Sequence, residues 1–192
     1  TVLASRMGNT AEGLSHSCIL THFRIGADGF ERMLVVAPED TSEARAGRVS
    51  QRLLELETYR LMALRGLPVA KNLSAMLSSA EAQLADITGL LERKGETDQA
   101  LLDLLVSLAA RIERATAEHG FRFSATRAYD TLVSQRLVEL RERPISGTQT
   151  LGEFMQRRLS PAMATVNATE KRLSSLADRC SCNGVPRPRW RL

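Results

Sequence analysis

Leu73-Ser74-Ala75-Met76-Leu77-Ser78-Ser79-Ala80-Glu81-Ala82-Gln83-Leu84-Ala85-Asp86-Ile87-Thr88-Gly89-Leu90-Leu91 decides the fold. Leu73, Leu77, Ala80, Leu84, Ile87 and Leu91 stand alternately four and three apart, and Leu101, Leu105, Leu108, Ile112 and Ala115 repeat that spacing after a polar break. Apolar side chains recurring about every 3.5 residues keep one stripe of a helix turned toward a partner. The break, Lys94-Gly95-Glu96-Thr97, is short, and Thr97 is placed to cap the helix that follows it. Two ladders joined so tightly pack antiparallel. The spacing therefore predicts a mainly α fold, a long antiparallel helical hairpin or coiled-coil bundle, with a small β-hairpin at the N-terminal side.

Composition agrees with helix packing. Of the 192 residues, 43% are hydrophobic and only 4% are aromatic, so the core is built of Leu and Ala. The formal net charge is +4, of which Arg187, Arg189 and Arg191 in the tail supply three, leaving the remainder near neutral. Interspersed Arg and Glu of this kind form solvated helix faces rather than a nucleic-acid footprint. Three cysteines, Cys18, Cys180 and Cys182, and a start without Met or an apolar leader read as reduced thiols in a piece of a longer protein. A run of about 18 apolar residues, which a transmembrane helix requires, is lacking.

Outward from the ladder, residues 1–38 read as a partial β region. Ile19 to Ile25 and Phe30 to Val36 are apolar runs joined by Gly26-Ala27-Asp28-Gly29, a hairpin over about 19–36 with a four-residue turn. Val2-Leu3-Ala4 reads as the end of a third strand, and the hairpin is expected either to complete a sheet whose other strands lie upstream of Thr1 or to pack on the first helix. Residues 39–179 read as the helical bundle. Asp40 with Glu43 suggests a capping box opening a helix that runs to Gly66, where Gly66-Leu67-Pro68 breaks it. A second helix follows from about Pro68 to Arg93. The third runs to about Arg141 with a kink or stutter near Gly120. Pro144-Ile145-Ser146-Gly147 reads as a turn, and Thr150 with Glu153 as a capping box. A last ladder, Leu159, Ala162, Val166, Thr169, Leu173 and Leu176, accepts Pro161 if Ser160 opens a fresh helix. From Cys180 the periodicity stops, and residues 180–192 read as an irregular basic tail, aberrant or truncated.

Several blocks together carry a family resemblance. They are Phe23-Arg24-Ile25 with Asp28-Gly29-Phe30; Ala46-Gly47-Arg48 and Gln51 to Glu55; Glu57-Thr58-Tyr59-Arg60 with Ala63 to Pro68; Ala125 to Tyr129; and Gln149 to Phe154 with Arg157 to Met163. In order and spacing the chain from Val2 to Arg179 resembles a family of uncharacterised bacterial proteins, described only as predicted membrane-anchored, with a domain of unknown function. The segment His16-Ser17-Cys18-Ile19 and the tail after Arg179 depart from its pattern. The resemblance implies that longer members carry a further β-containing region and a C-terminal membrane segment. It places this piece as a stalk on the cytoplasmic side of the inner membrane. It implies no functional residues.

Candidate chemistry is sparse. His16, Cys18 and His22 form an H-x-C-x₃-H run that matches no standard zinc spacing, and Cys180-Ser181-Cys182 sits in the irregular tail. His119 beside Gly120 reads as a helix-end residue, because no Gly-flanked nucleophile accompanies it. No Gly-rich phosphate loop is present. No catalytic, cofactor or metal residue is assigned. On the first helix, Arg52 is spaced to face Glu55, and Arg60 to face Glu57. The same charges around Tyr59 fit a buried polar network at a subunit contact. Arg127 with Tyr129, and Arg157 with Arg158, are similar clusters. The expectation is a non-catalytic scaffold or oligomerisation module that self-associates through its helices, without a small-molecule substrate. The alternatives are the soluble domain of an ion channel or transporter, and nucleic-acid binding through Arg-rich helices.

Overall fold

The computed structural model describes residues 2–7, 17–94 and 99–184. Along the chain these form β1 (Leu3–Met7), β2 (Ser17–Ile25), β3 (Glu31–Val36), α1 (Glu43–Leu64), α2 (Gly66–Lys94), α3 (Gln99–Leu140), β4 (Glu142–Pro144), α4 (Leu151–Arg158) and α5 (Ser160–Gly184). They divide into two compact units, Thr1–Leu64 with Thr126–Met163, and Arg65–Ala125 with Ala164–Leu192. The first unit contains the sheet, α1 and α4.

In the first unit the strands form one antiparallel sheet in the order β3-β2-β1-β4. Leu3, Ser5 and Met7 pair with Thr21, Ile19 and Ser17, and all six are buried. Alternation along a strand sends every second side chain to the same face, so this register gathers them on one side. The expected hairpin and its four-residue turn are present, with Gly29 at φ 80 and the Gly26 N–H donating to the Phe30 carbonyl at 2.8 Å. Two expectations need correction. The sheet is more than a hairpin with one strand end, because β1 is a full strand and is flanked by β4. And the expected turn is present, closed by the Thr148 N–H on the Ile145 carbonyl with Gly147 at φ 79, but β4 precedes it unannounced; three residues with a proline give no alternation, and Pro144 is tolerated because β4 is an edge.

The start of α1 also differs from expectation. Asp40 lies in a turn closed by the Thr41 N–H on the Pro38 carbonyl, and the Ser42 carbonyl accepts the first helical N–H groups, those of Arg45 and Ala46. The break near Pro68 is confined to Arg65, and Pro68 falls in the first turn of α2, where its missing N–H has no helical partner to lose. The Thr150 capping box is present, with Thr150 Oγ1 accepting from the Glu153 N–H and the Glu153 carboxylate accepting from the Thr150 N–H, both at 3.1 Å.

The core of the second unit consists of the ladders. Leu73, Leu77, Ala80, Leu84 and Ile87 of α2 meet Leu105, Leu108, Ile112, Ala115 and Phe123 of α3, and Val166, Leu173, Leu176 and Cys180 of α5, in one buried cluster. Arg111 of α3 donates to Gln83 of α2 at 3.2 Å, and Arg172 of α5 grips Glu81 of α2 at 2.8 and 2.9 Å along its rim. The helix α3 runs unbroken through Gly120, a single glycine costing about 1 kcal/mol there. Its buried positions keep their register instead: Thr126, Val133 and Leu140 follow Leu105 and Ile112 at multiples of seven residues, and Phe123 stands one place off the row of Leu101, Leu108 and Ala115. The phase shift expected near Gly120 is therefore not found. The expected collapse at Cys180 is overturned for the described residues. The helix α5 continues to Gly184, and Cys180 is the next rung after Leu173 and Leu176, buried as a small apolar group. Among the described residues no helix is long and apolar enough to cross a membrane.

Candidate functional site

The densest chemistry lies in the first unit, where α1 faces the sheet. Arg60 is bound in a fork by Glu57 one turn earlier, Nε to Oε2 at 2.6 Å and Nη2 to Oε1 at 2.5 Å. The three-residue spacing of a helix brings these side chains together, as the sequence predicts. The guanidinium then reaches over two aromatic rings, its carbon 5.1 Å from the centre of Phe23 and 6.0 Å from that of Phe154. The rings themselves are 5.1 Å apart. A planar, weakly hydrated cation held over ring faces is favoured electrostatically, more so out of water.

The local backbone aims Phe23 at this place. The β2–β3 register shifts between Thr21 and Ile25, and Phe23 adopts φ 45, a left-handed conformation costly for a bulky residue. The bulge is held by Thr21, whose Oγ1 accepts from the Phe23 N–H and donates to the Arg32 carbonyl, both at 3.2 Å. Phe154 arrives from α4, which is set by Glu142 of β4. The Glu142 carboxylate accepts from the Leu151 N–H at 2.5 Å, the Gly152 N–H at 2.8 Å and the Ser5 hydroxyl. An anion at free helical N–H groups is a favourable arrangement. A side chain on Gly152 would put its Cβ 3.0 Å from Glu142 Oε2, so glycine is required for this approach.

A second carboxyl, Glu31 at the start of β3, stands beside Glu57. Its Oε1 is buried and has no hydrogen-bond partner. Burial first, and the neighbouring Glu57 charge second, push its pKa up from 4.5 to about 7. Arg60 and Thr21 oppose that rise. Glu31, Glu57, Arg60, Phe23 and Leu61 line a cleft of about 410 Å³.

A second cluster lies on the same helix. Arg136 of α3 holds Glu55 at 2.5 Å and Glu139 at 2.8 Å, and its guanidinium carbon is 5.9 Å from the Tyr59 ring centre. Tyr59 and Tyr129 are 6.0 Å apart. Arg52 does not pair with Glu55, as its spacing predicts, but with Glu139, at 3.4 Å to the carboxylate and 3.1 Å to the carbonyl. A partner from α3 outcompetes the neighbour on the same helix. The Gln51 amide, and then Arg136, hold the Glu55 carboxyl below the usual range. Charged groups thus do gather around Tyr59, half-buried and bonded to one another between α1 and α3.

The remaining candidates scatter. Cys18 is a free thiol, His22 is exposed with Nδ1 accepting the Arg24 N–H at 3.1 Å, and His16 lies outside the described residues. Thr97, the side chain of Cys182 and the basic tail from 185 also lie outside them. His119 sits within α3, 3.8 Å from Glu118. Among the described residues no cluster of three or more His, Cys, Asp or Glu could hold a metal ion. Sequence reasoning missed Glu31, Phe154 and Glu142. Only Glu142 left a signal, a carboxylate shortly before a capped helix.

Comparison with curated proteins and with solved structures found no match. A family model described as a protein of unknown function (DUF3422) matches residues 4–184, nearly the whole chain and all of its described elements but the first residues. The chain therefore belongs to the DUF3422 family of proteins of unknown function.

Proposed function

We propose that this chain is a non-catalytic helical scaffold whose α2 and α3 form an antiparallel hairpin that carries self-association. The observation behind this reading is Phe121, which is 83% exposed on α3 although Phe123, two residues on, is fully buried in the ladder core. Two residues turn a helix by about 200°, so Phe121 faces away from the ladder. A large aromatic on a solvated helix face is a recurrent anchor of protein contacts. Val106, 66% exposed on the same helix, borders a shallow groove of small side chains, Ala109, Ala110 and Ala177, into which a large apolar side chain of a second copy fits.

In the longer proteins that the resemblance implies, this scaffold stands beside a membrane segment on the cytoplasmic side and joins copies of an anchored assembly. Light scattering over a concentration series tests the reading. Self-association at micromolar concentration is expected, and a strict monomer at millimolar concentration contradicts it. Sedimentation of the full-length protein with membranes is expected, and its recovery in the soluble fraction removes the anchored part of the reading.

A further inference from the structure

Two carboxyl groups and one guanidinium share the cleft between the β2–β3 hairpin and α1. Glu57 uses both oxygens on Arg60. Glu31 is left with a buried Oε1 that accepts no hydrogen bond. A buried acceptor without a donor is costly, and a second carboxylate beside Glu57 adds repulsion. A proton on Glu31 removes both problems at once, since the acid can donate to the neighbouring carboxylate.

We propose that Glu31 is a proton-operated latch that holds the edge strand β3 against α1 when protonated and releases it when ionised. The charged groups around it fit a switch rather than a fixed ion pair. From α1 come Glu57 and Arg60, from β2 the hydroxyl of Thr21 and, lining the same cleft, Arg24, with His22 on the bordering cleft. Arg32, on its own strand, is engaged by Asp28. Arg60 is the cation whose charge counters Glu31 among the described residues, and it is already bound by Glu57 and seated on Phe23 and Phe154. Ionised Glu31 must share that guanidinium, which loosens the seat and the strand together. Strand β3 is suited to move, because it is an edge of the sheet, paired only with β2 among the described strands.

The sign follows from linkage. Burial and Glu57 lift the folded-state value of Glu31 from 4.5 to about 7. The closed state then binds a proton that the open state has lost, so closure is strongest below 4.5, weakens as pH rises toward 7, and is constant above it.

The test uses the whole chain. Carbon-13 NMR of the Glu31 carboxyl from pH 4 to 9 is expected to give a midpoint near 7, and a midpoint near 4.5 overturns the proposal. Amide protection of β3, corrected for intrinsic exchange, is expected to fall between these values by up to about tenfold per pH unit. Glu31→Gln keeps the shape but cannot ionise, so its β3 protection is expected to stay flat while that of His22→Asn still falls. A Glu31→Gln protein whose protection falls like the wild type, or a flat wild type, overturns the latch. The wild-type titration decides the matter even if the variant fails to fold.

Discussion

The two units bury their surfaces by opposite means. The second is held by a ladder of aliphatic side chains in which Leu77, Ala80, Leu84, Ile112, Phe123 and Val166 have no measurable exposure. Its ion pairs lie at the rim, and Arg172 with Glu81 is about one third exposed on each side. The first unit holds some of its charges partly buried, beside exposed pairs such as Arg32 with Asp28. Glu57 and Arg60 retain 10% and 13% side-chain exposure, and Glu142 and Arg136 bond groups of other elements, the Leu151 N–H and Glu55. Apolar burial is non-directional and tolerant of conditions, whereas buried charge depends on partner and pH. Stability therefore rests on the apolar core in the second unit, and in the first also on partly buried charge.

Substitutions sharpen this contrast, beginning with the largest effect. Phe123→Ala opens a cavity in the ladder core and is expected to cost about 3–5 kcal/mol in denaturant unfolding, without pH dependence between 5 and 8. A loss under 1 kcal/mol would mean that the ladder is loosely packed. Arg60→Ala leaves Glu57 buried without its cation and is expected to cost about 2 kcal/mol at neutral pH. An unchanged stability would contradict the placing of this charge pair inside the unit.

The ladder was legible in the sequence because periodicity is a local property, and long helices repeat it many times over. The hairpin was legible for a related reason, its turn residues Gly26 and Gly29 standing between two apolar runs. The reading failed where distant segments cooperate. Strand β4 is three residues long and exists only because β1 offers it an edge. Arg52 follows helical spacing toward Glu55, but Glu139 arrives from 87 residues away and takes it. Cys180 looked like the end of the pattern because a cysteine is not an expected rung, yet a small thiol fills the position. Of the candidate cluster, the Arg60–Glu57 spacing was readable. Phe23's left-handed turn and the approach of Phe154 were not, since a bulge and a tertiary contact leave no periodic trace.

Two smaller effects complete the contrast. Thr150→Ala removes the cap of α4 and is expected to cost about 1 kcal/mol, read from thermal unfolding, with Thr150→Ser restoring most of it. Arg172→Ala removes an exposed pair at the ladder rim. It is expected to cost less than about 1 kcal/mol, and the difference from wild type should fade at high salt. A large, salt-independent loss there would contradict the assignment of the second unit's stability to its apolar core.

The scaffold reading turns on one exposed aromatic. Sedimentation velocity should be compared for the wild-type chain and Phe121→Asp across a hundredfold concentration range, after equal unfolding midpoints establish that both are folded. A wild type that shifts to larger species with concentration, beside a variant that stays monomeric, is the predicted result. Identical behaviour of the two, whether both monomeric or both associated, would contradict it.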